Sequence, residues 1–82
     1  MKLLLLGTSG CHLCEEAELI INECRQTELD VQIELVDIAE HEQWQQDYAT
    51  LIPVLLHEDT AQTLNWPFAH NHVINFLETT RS

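Results

Sequence analysis

Hydrophobic positions along the chain change period several times, and each change marks an element. Leu3-Leu4-Leu5-Leu6, ended by Gly7, is an unbroken apolar run, which predicts a short strand buried on both faces and therefore central in a sheet. From Cys11 to about Gln26 the spacing becomes helical. Leu13, Ala17, Ile20, Ile21 and Cys24 form one stripe, while Glu15, Glu16, Glu18 and Glu23 lie largely on the wet side. Thr8-Ser9-Gly10 supplies the turn ahead of this helix and candidate capping groups. The early glutamates suit the positive end of the helix dipole.

Val31-Gln32-Ile33-Glu34-Leu35 alternates strictly, so a strand with one buried face is expected, at or near a sheet edge and parallel to the first. His41 to Leu51 reads as a weaker helix carrying Trp44, Tyr48 and Leu51 on one face, stopped by Pro53. Val54-Leu55-Leu56 is a second strand buried on both faces. The polar turn His57-Glu58-Asp59-Thr60 then leads into Ala61-Gln62-Thr63-Leu64, so these two strands should form a hairpin. Pro67 opens a final helix, where its missing N–H costs nothing, with Ala69, Val73, Phe76 and Leu77 facing inward. The order is strand, helix, strand, helix, hairpin, helix: an α/β domain spanning 1–82 without internal repeat or boundary.

Composition narrows the function. Only two Gly and two Pro leave little room for linker, and a hydrophobic fraction of 45% supports a small core. Fourteen Asp or Glu against three Lys or Arg give a formal net charge of −11. Such a surface repels phosphates and anionic headgroups, which excludes nucleic acid and membrane as main partners. The charge serves solubility, or attracts a basic partner that nothing in the sequence identifies. Four apolar residues after Met1-Lys2 are too few for a signal-peptide core or a membrane span, so the expected location is the cytoplasm. There a close cysteine pair points to redox chemistry or metal rather than a structural disulfide.

That pair is Cys11-His12-Leu13-Cys14, at a strand-to-helix junction. Two sulfurs three residues apart at a helix start face one side and can close a small ring. Cys11 lies where unpaired N–H groups and the helix dipole stabilise a thiolate, and Cys14, one turn in and more buried, is placed to resolve a mixed disulfide. Two other readings stay open here. A metal site wants about four ligands, but the remaining cysteine, Cys24, falls on the apolar stripe as a small core residue. Inert structural thiols are the other possibility. His41, His57, His70 and His72 are scattered and make no metal pair, and Trp44 with Tyr48 reads as packing. Trp66 and Phe68 are expected to anchor the turn into the last helix, with Trp66 near any substrate groove. No phosphate-cradling glycine loop, dinucleotide fingerprint or Ser–His–Asp arrangement is present.

Taken together, Ser9-Gly10-Cys11-His12-Leu13-Cys14-Glu15-Glu16-Ala17, Ile52-Pro53-Val54-Leu55 and Leu64-Asn65-Trp66-Pro67-Phe68 resemble thioredoxin-fold proteins, and more closely the small glutaredoxin-like ones, over nearly the whole chain. The resemblance implies a four-stranded mixed sheet, spatial order 2-1-3-4, flanked by three helices. It also implies Cys11 as nucleophile, Cys14 as resolving thiol, and Pro53 as the family's cis-proline, with the Ile52 backbone pairing with a bound peptide or thiol substrate. The expected activity is thiol–disulfide exchange on a protein or small-molecule substrate, by a monomer with no bound cofactor. The alternative is a thioredoxin-fold module that holds a partner or metal without turnover, since the scaffold hosts both uses.

The departures from the family pattern bear on the co-substrate. Glutathione-using members typically carry Pro and an aromatic between the cysteines, basic residues near the site and a Gly-Gly turn before the last helix. This chain has His12 and Leu13, then Asn65-Trp66-Pro67-Phe68, and its only basic residues are Lys2, Arg25 and Arg81. Glutathione is anionic and is therefore not favoured as co-substrate. Glu15 and Glu16 oppose thiolate formation, but they are screened by salt and water while the helix-end amides can hydrogen-bond the sulfur directly, so Cys11 should ionise below a free thiol, though less so than where a cation assists. His12 either helps when protonated and touches substrate, or stands as an exposed loop residue without chemical effect.

Overall fold

The computed structural model describes residues 2–26 and 31–81. Met1 and the side chain of Arg81, on which the charge and terminus readings partly rest, lie outside the described residues. The elements are β1 (Lys2–Gly7), α1 (His12–Arg25), β2 (Gln32–Asp37), a 3₁₀ turn (Ile38–Glu40), α2 (Glu42–Tyr48), β3 (Val54–His57), β4 (Gln62–Asn65) and α3 (His70–Arg81). The sheet order is β2-β1-β3-β4, mixed. β1 runs parallel to β2 (Lys2↔Gln32 to Gly7↔Asp37) and antiparallel to β3 (Leu4↔Leu56 to Leu6↔Val54), and β3 pairs antiparallel with β4.

The four leucines of β1 divide by strand alternation. Leu3 and Leu5, with Leu55, pack against Ala17, Ile21 and Cys24 of α1 and Val73 and Leu77 of α3. Leu4 and Leu6, with Val54 and Leu56, pack on the other face against Ile38, Trp44, Tyr48 and Ile52. The sheet is thus covered on both sides, which is why its central strands read as unbroken apolar runs. Each fully buried Leu or Val contributes about 1.5–3 kcal/mol, and Leu3, Leu6, Val54 and Leu55 are all completely buried.

Six expectations are corrected. Leu13 is 47% exposed, because it lies in the first turn of α1, ahead of the part that meets the sheet. Leu35 is 57% exposed, because α1 packs over β1 and towards α3, leaving the edge strand β2 partly bare. α2 ends at Tyr48, so Leu51 falls beyond it and is exposed. Pro67 does not open α3, which starts at His70. Phe68 is instead buried in the connection, edge-on to Trp66 with ring centroids 5.0 Å apart. Ala69 is exposed, and its N–H donates to Nδ1 of His72 at 2.8 Å, the helix-start arrangement in which a side chain three residues on satisfies a free amide. His57, read as the start of a polar turn, closes β3 and is buried, with Nδ1 2.7 Å from Thr60 Oγ1.

Candidate functional site

Strand pairing collects the candidate residues at one end of the sheet. β1 ends at Gly7, opposite Asp37 of β2. On its other side, the Leu6↔Val54 pair places Pro53 at the same end, and Pro53 accepts the Trp66 N–H at 3.3 Å. The Ile52–Pro53 and Trp66–Pro67 peptide bonds are both cis. The chain leaves β1 through Thr8-Ser9-Gly10, where Gly10 takes φ +77°, a conformation that a residue with a Cβ adopts only at a cost.

Cys11 follows as the N-cap of α1. Its Sγ accepts the Cys14 N–H at 3.2 Å, in the place usually taken by a Ser or Asp oxygen, and its carbonyl accepts Glu15 N–H at 3.2 Å. The sulfur therefore sits on the positive end of the helix dipole with a backbone N–H directed at it, which favours a thiolate. Cys14 lies one turn further. The two are joined as a disulfide with Cα atoms 5.2 Å apart. Both cysteines are half-buried, so neighbours rather than depth distinguish them. Cys14 packs onto Gly7, where a methyl group on the Gly7 Cα would lie 3.0 Å from Cys14 Sγ and 3.2 Å from its Cβ.

The disulfide opens into a cleft of about 310 Å³ between α1 and β2. Gly7 and Leu5 form its base, Cys14, Glu15 and Glu18 one wall, Leu35, Val36 and Asp37 the other. Asp37 is held in place by accepting Ala39 N–H at 2.9 Å. No basic residue lines the cleft among those described.

The structure thus brings Cys11 and Cys14 together and sets Pro53 at their end of the sheet. Ile52 follows Tyr48, to whose carbonyl it gives its N–H at 3.2 Å. His12 lies outside the cleft. Its side chain is 96% exposed, with Nδ1 3.7 Å from a Glu15 carboxylate oxygen. Lys2 pairs with Glu34 at 3.2 Å towards the opposite end of β1. Gly7, Glu18, Leu35 and Asp37 belong to the cleft without having stood out in the sequence. Strict alternation made Leu35 look buried, and nothing in the pattern shows which strand α1 leaves uncovered. Cys24 is buried as its place on the apolar stripe predicts, its Sγ 3.8 Å from the His70 carbonyl. Among the described residues, no three His, Cys, Asp or Glu side chains converge to hold a metal ion. No helix among them is long and apolar enough to cross a membrane.

The sequence profile described as Glutaredoxin-like domain (DUF836) matches residues 2–78. The fold is similar to the crystal structure of the protein XcR50 from X. campestris, at 25% identity and TM-score 0.80, covering 94% of this chain and 96% of that one. It is also similar to the solution structure of protein Ne2328 from Nitrosomonas europaea, at 24% identity and TM-score 0.77, covering 92% and 88% of the two chains. Thioredoxin 1 from Thermosipho africanus TCF52B shares the fold at 19% identity and TM-score 0.66, with each chain fully covered. No curated protein matches the chain in sequence.

Proposed function

Since the chain belongs to the glutaredoxin-like domain family (DUF836), we propose that it is a thiol–disulfide oxidoreductase with Cys11 as nucleophile and Cys14 as resolving thiol. The observation that carries this reading is the placement of the pair. Cys11 Sγ caps α1, receives the Cys14 N–H and borders an open cleft.

In the reduced protein, the Cys11 thiolate attacks one sulfur of a substrate disulfide. A bond forms between Cys11 Sγ and that sulfur, and the other substrate sulfur leaves as a thiolate that takes a proton from water. The Cys14 thiolate then attacks Cys11 Sγ and expels the second substrate thiolate. The substrate gains two electrons, and the protein is left with the Cys11–Cys14 disulfide, which an external thiol or dithiol reductant returns to the dithiol. No bound cofactor or metal takes part, and a monomer in the cytoplasm suffices.

Ile52, half-buried, would border the substrate on the β3 side with the fully buried Pro53 beside it; neither lines the cleft between α1 and β2. Because the Ile52 N–H is given to Tyr48, the Ile52 carbonyl is the group a bound peptide would pair with. His12 would meet substrate at the outer rim. Glutathione is not the dedicated co-substrate: it is anionic, and the cleft beside the sulfurs carries Glu15, Glu18 and Asp37.

The test is trapping. A Cys14→Ser variant, reduced and then exposed to a disulfide substrate, should accumulate a mixed disulfide at Cys11 by intact mass. Cys11→Ser should accumulate none. Equal trapping on both, or on neither, rejects the assignment and leaves partner binding without turnover as the reading.

A further inference from the structure

The cleft beside the disulfide does not end at the first turn of α1. A second hollow of about 140 Å³ continues between α1 and β2, and the two share Leu5, Glu18 and Leu35, so they form one furrow leading away from the sulfurs. Its floor is apolar, with Leu35 57% exposed and Ile33 beyond it. Its head carries three carboxylates, Glu15, Glu18 and Asp37, and its cation, Arg25, stands at the far end.

Resting on the exchange reading above, we infer that the substrate is a polypeptide disulfide whose cysteine is flanked by an apolar residue and then by Lys or Arg, seated along this furrow. Charge complementarity selects the occupant. A net charge of −11 repels an anionic disulfide from a distance, and the three carboxylates repel it again along the cleft that leads from the sulfurs.

Dimensions set the spacing. Glu18 is seven residues along α1 from Cys11, roughly 10 Å at 1.5 Å per residue. An extended peptide covers that distance in about three residues at 3.3 Å each. A cation two or three positions from the substrate cysteine therefore meets Glu18, while the residue between lies over Leu35. A small disulfide fills only the head of the furrow and leaves the Ile33 end of its apolar floor wet. In the exchange step, the cationic segment leaves with one of the two substrate thiolates, and the Cys11–Cys14 disulfide forms as before.

The test uses the whole chain, pre-reduced and freed of reductant, in single-turnover reactions. Two cystine-linked peptides of identical length and leucine content are compared, one with Lys and one with Glu three residues from the cysteine. The Lys peptide should oxidise the protein at least about tenfold faster at low ionic strength. The ratio should collapse towards one in 1 M salt, where charges are screened beyond about 3 Å.

Glu18→Gln should reduce the preference severalfold. Asp59→Asn, which makes the same change of net charge at an exposed position of the β3–β4 turn at the opposite end of the sheet, should leave it intact. Leu35→Ser should slow the Lys peptide by about tenfold, the effect of losing an apolar contact. Equal rates for both peptides, or equal effects of the Glu18 and Asp59 variants, overturn the furrow while leaving exchange standing. If neither peptide oxidises the dithiol, exchange and furrow fall together.

Discussion

At Gly7 a single hydrogen stands where a methyl group would lie 3.0 Å from Cys14 Sγ, and the Cys14 side chain has the Cys11 linkage on its other side. Gly7→Ala should therefore displace the resolving sulfur. The expected cost is about 1–3 kcal/mol in chemical denaturation, as for an overpacked core, together with slower closure of the disulfide in thiol-trapping time courses. Ala61 presents the opposite case: it adopts φ +59° in the turn between β3 and β4, a region where a Cβ costs about 1–2 kcal/mol. Ala61→Gly relieves that strain and adds some unfolded-state entropy, so it should stabilise the protein by about 1 kcal/mol. At the site itself, the ring of His12 points to solvent and towards Glu15, whereas the Cys14 N–H is directed at Cys11 Sγ. His12→Ala should accordingly leave the pH dependence of Cys11 alkylation unchanged. A shift in that profile would assign the histidine a part in activating the thiol.

Elements show where residue patterns stop carrying information. α1 was legible because Ala17, Ile21 and Cys24 repeat at helical spacing, and all three are buried. The two-sided burial of β1 and β3 was legible because helices cover both faces of the sheet. What a one-dimensional period lacks is the lateral position of a helix. The alternation in β2 identifies its inward face, but α1 sits over β1 and meets α3 through core contacts and the Glu23–His70 pair, so Leu35 is turned inward with nothing above it. The contrast is measurable. Leu35→Ser should change stability by less than about 0.5 kcal/mol, as at an exposed surface position, while Leu5→Ala, from the neighbouring position in the core, should cost about 2–5 kcal/mol. The start of α3 was misplaced for a related reason. Pro67 is a good first helical residue in general, yet Phe68 is taken into the core before the helix begins, and the amide of Ala69 is satisfied by His72. His72→Ala should cost about 1 kcal/mol, typical of a lost cap.

For the whole molecule, fourteen acids against three bases on 82 residues leave the folded state under self-repulsion. Stability should rise between low salt and about 0.5 M sodium chloride as screening shortens below about 5 Å. On the proposed reading, the same charge should set the direction of recognition, against anionic thiols and towards basic chains. The fold, the cysteine pair and the cis-proline position could all be read from residues or from resemblance. The furrow could not, because it is made by the offset between a helix and an edge strand.

If Cys11 and Cys14 form a working redox couple, a titration in defined thiol buffers, with the disulfide read by alkylation and mass spectrometry, should show a reversible two-electron transition. It should fall between roughly −120 and −270 mV, the span of thiol oxidoreductases. A protein that forms no Cys11–Cys14 disulfide at any poise, or one that cannot be reduced again within that span, contradicts the proposed couple.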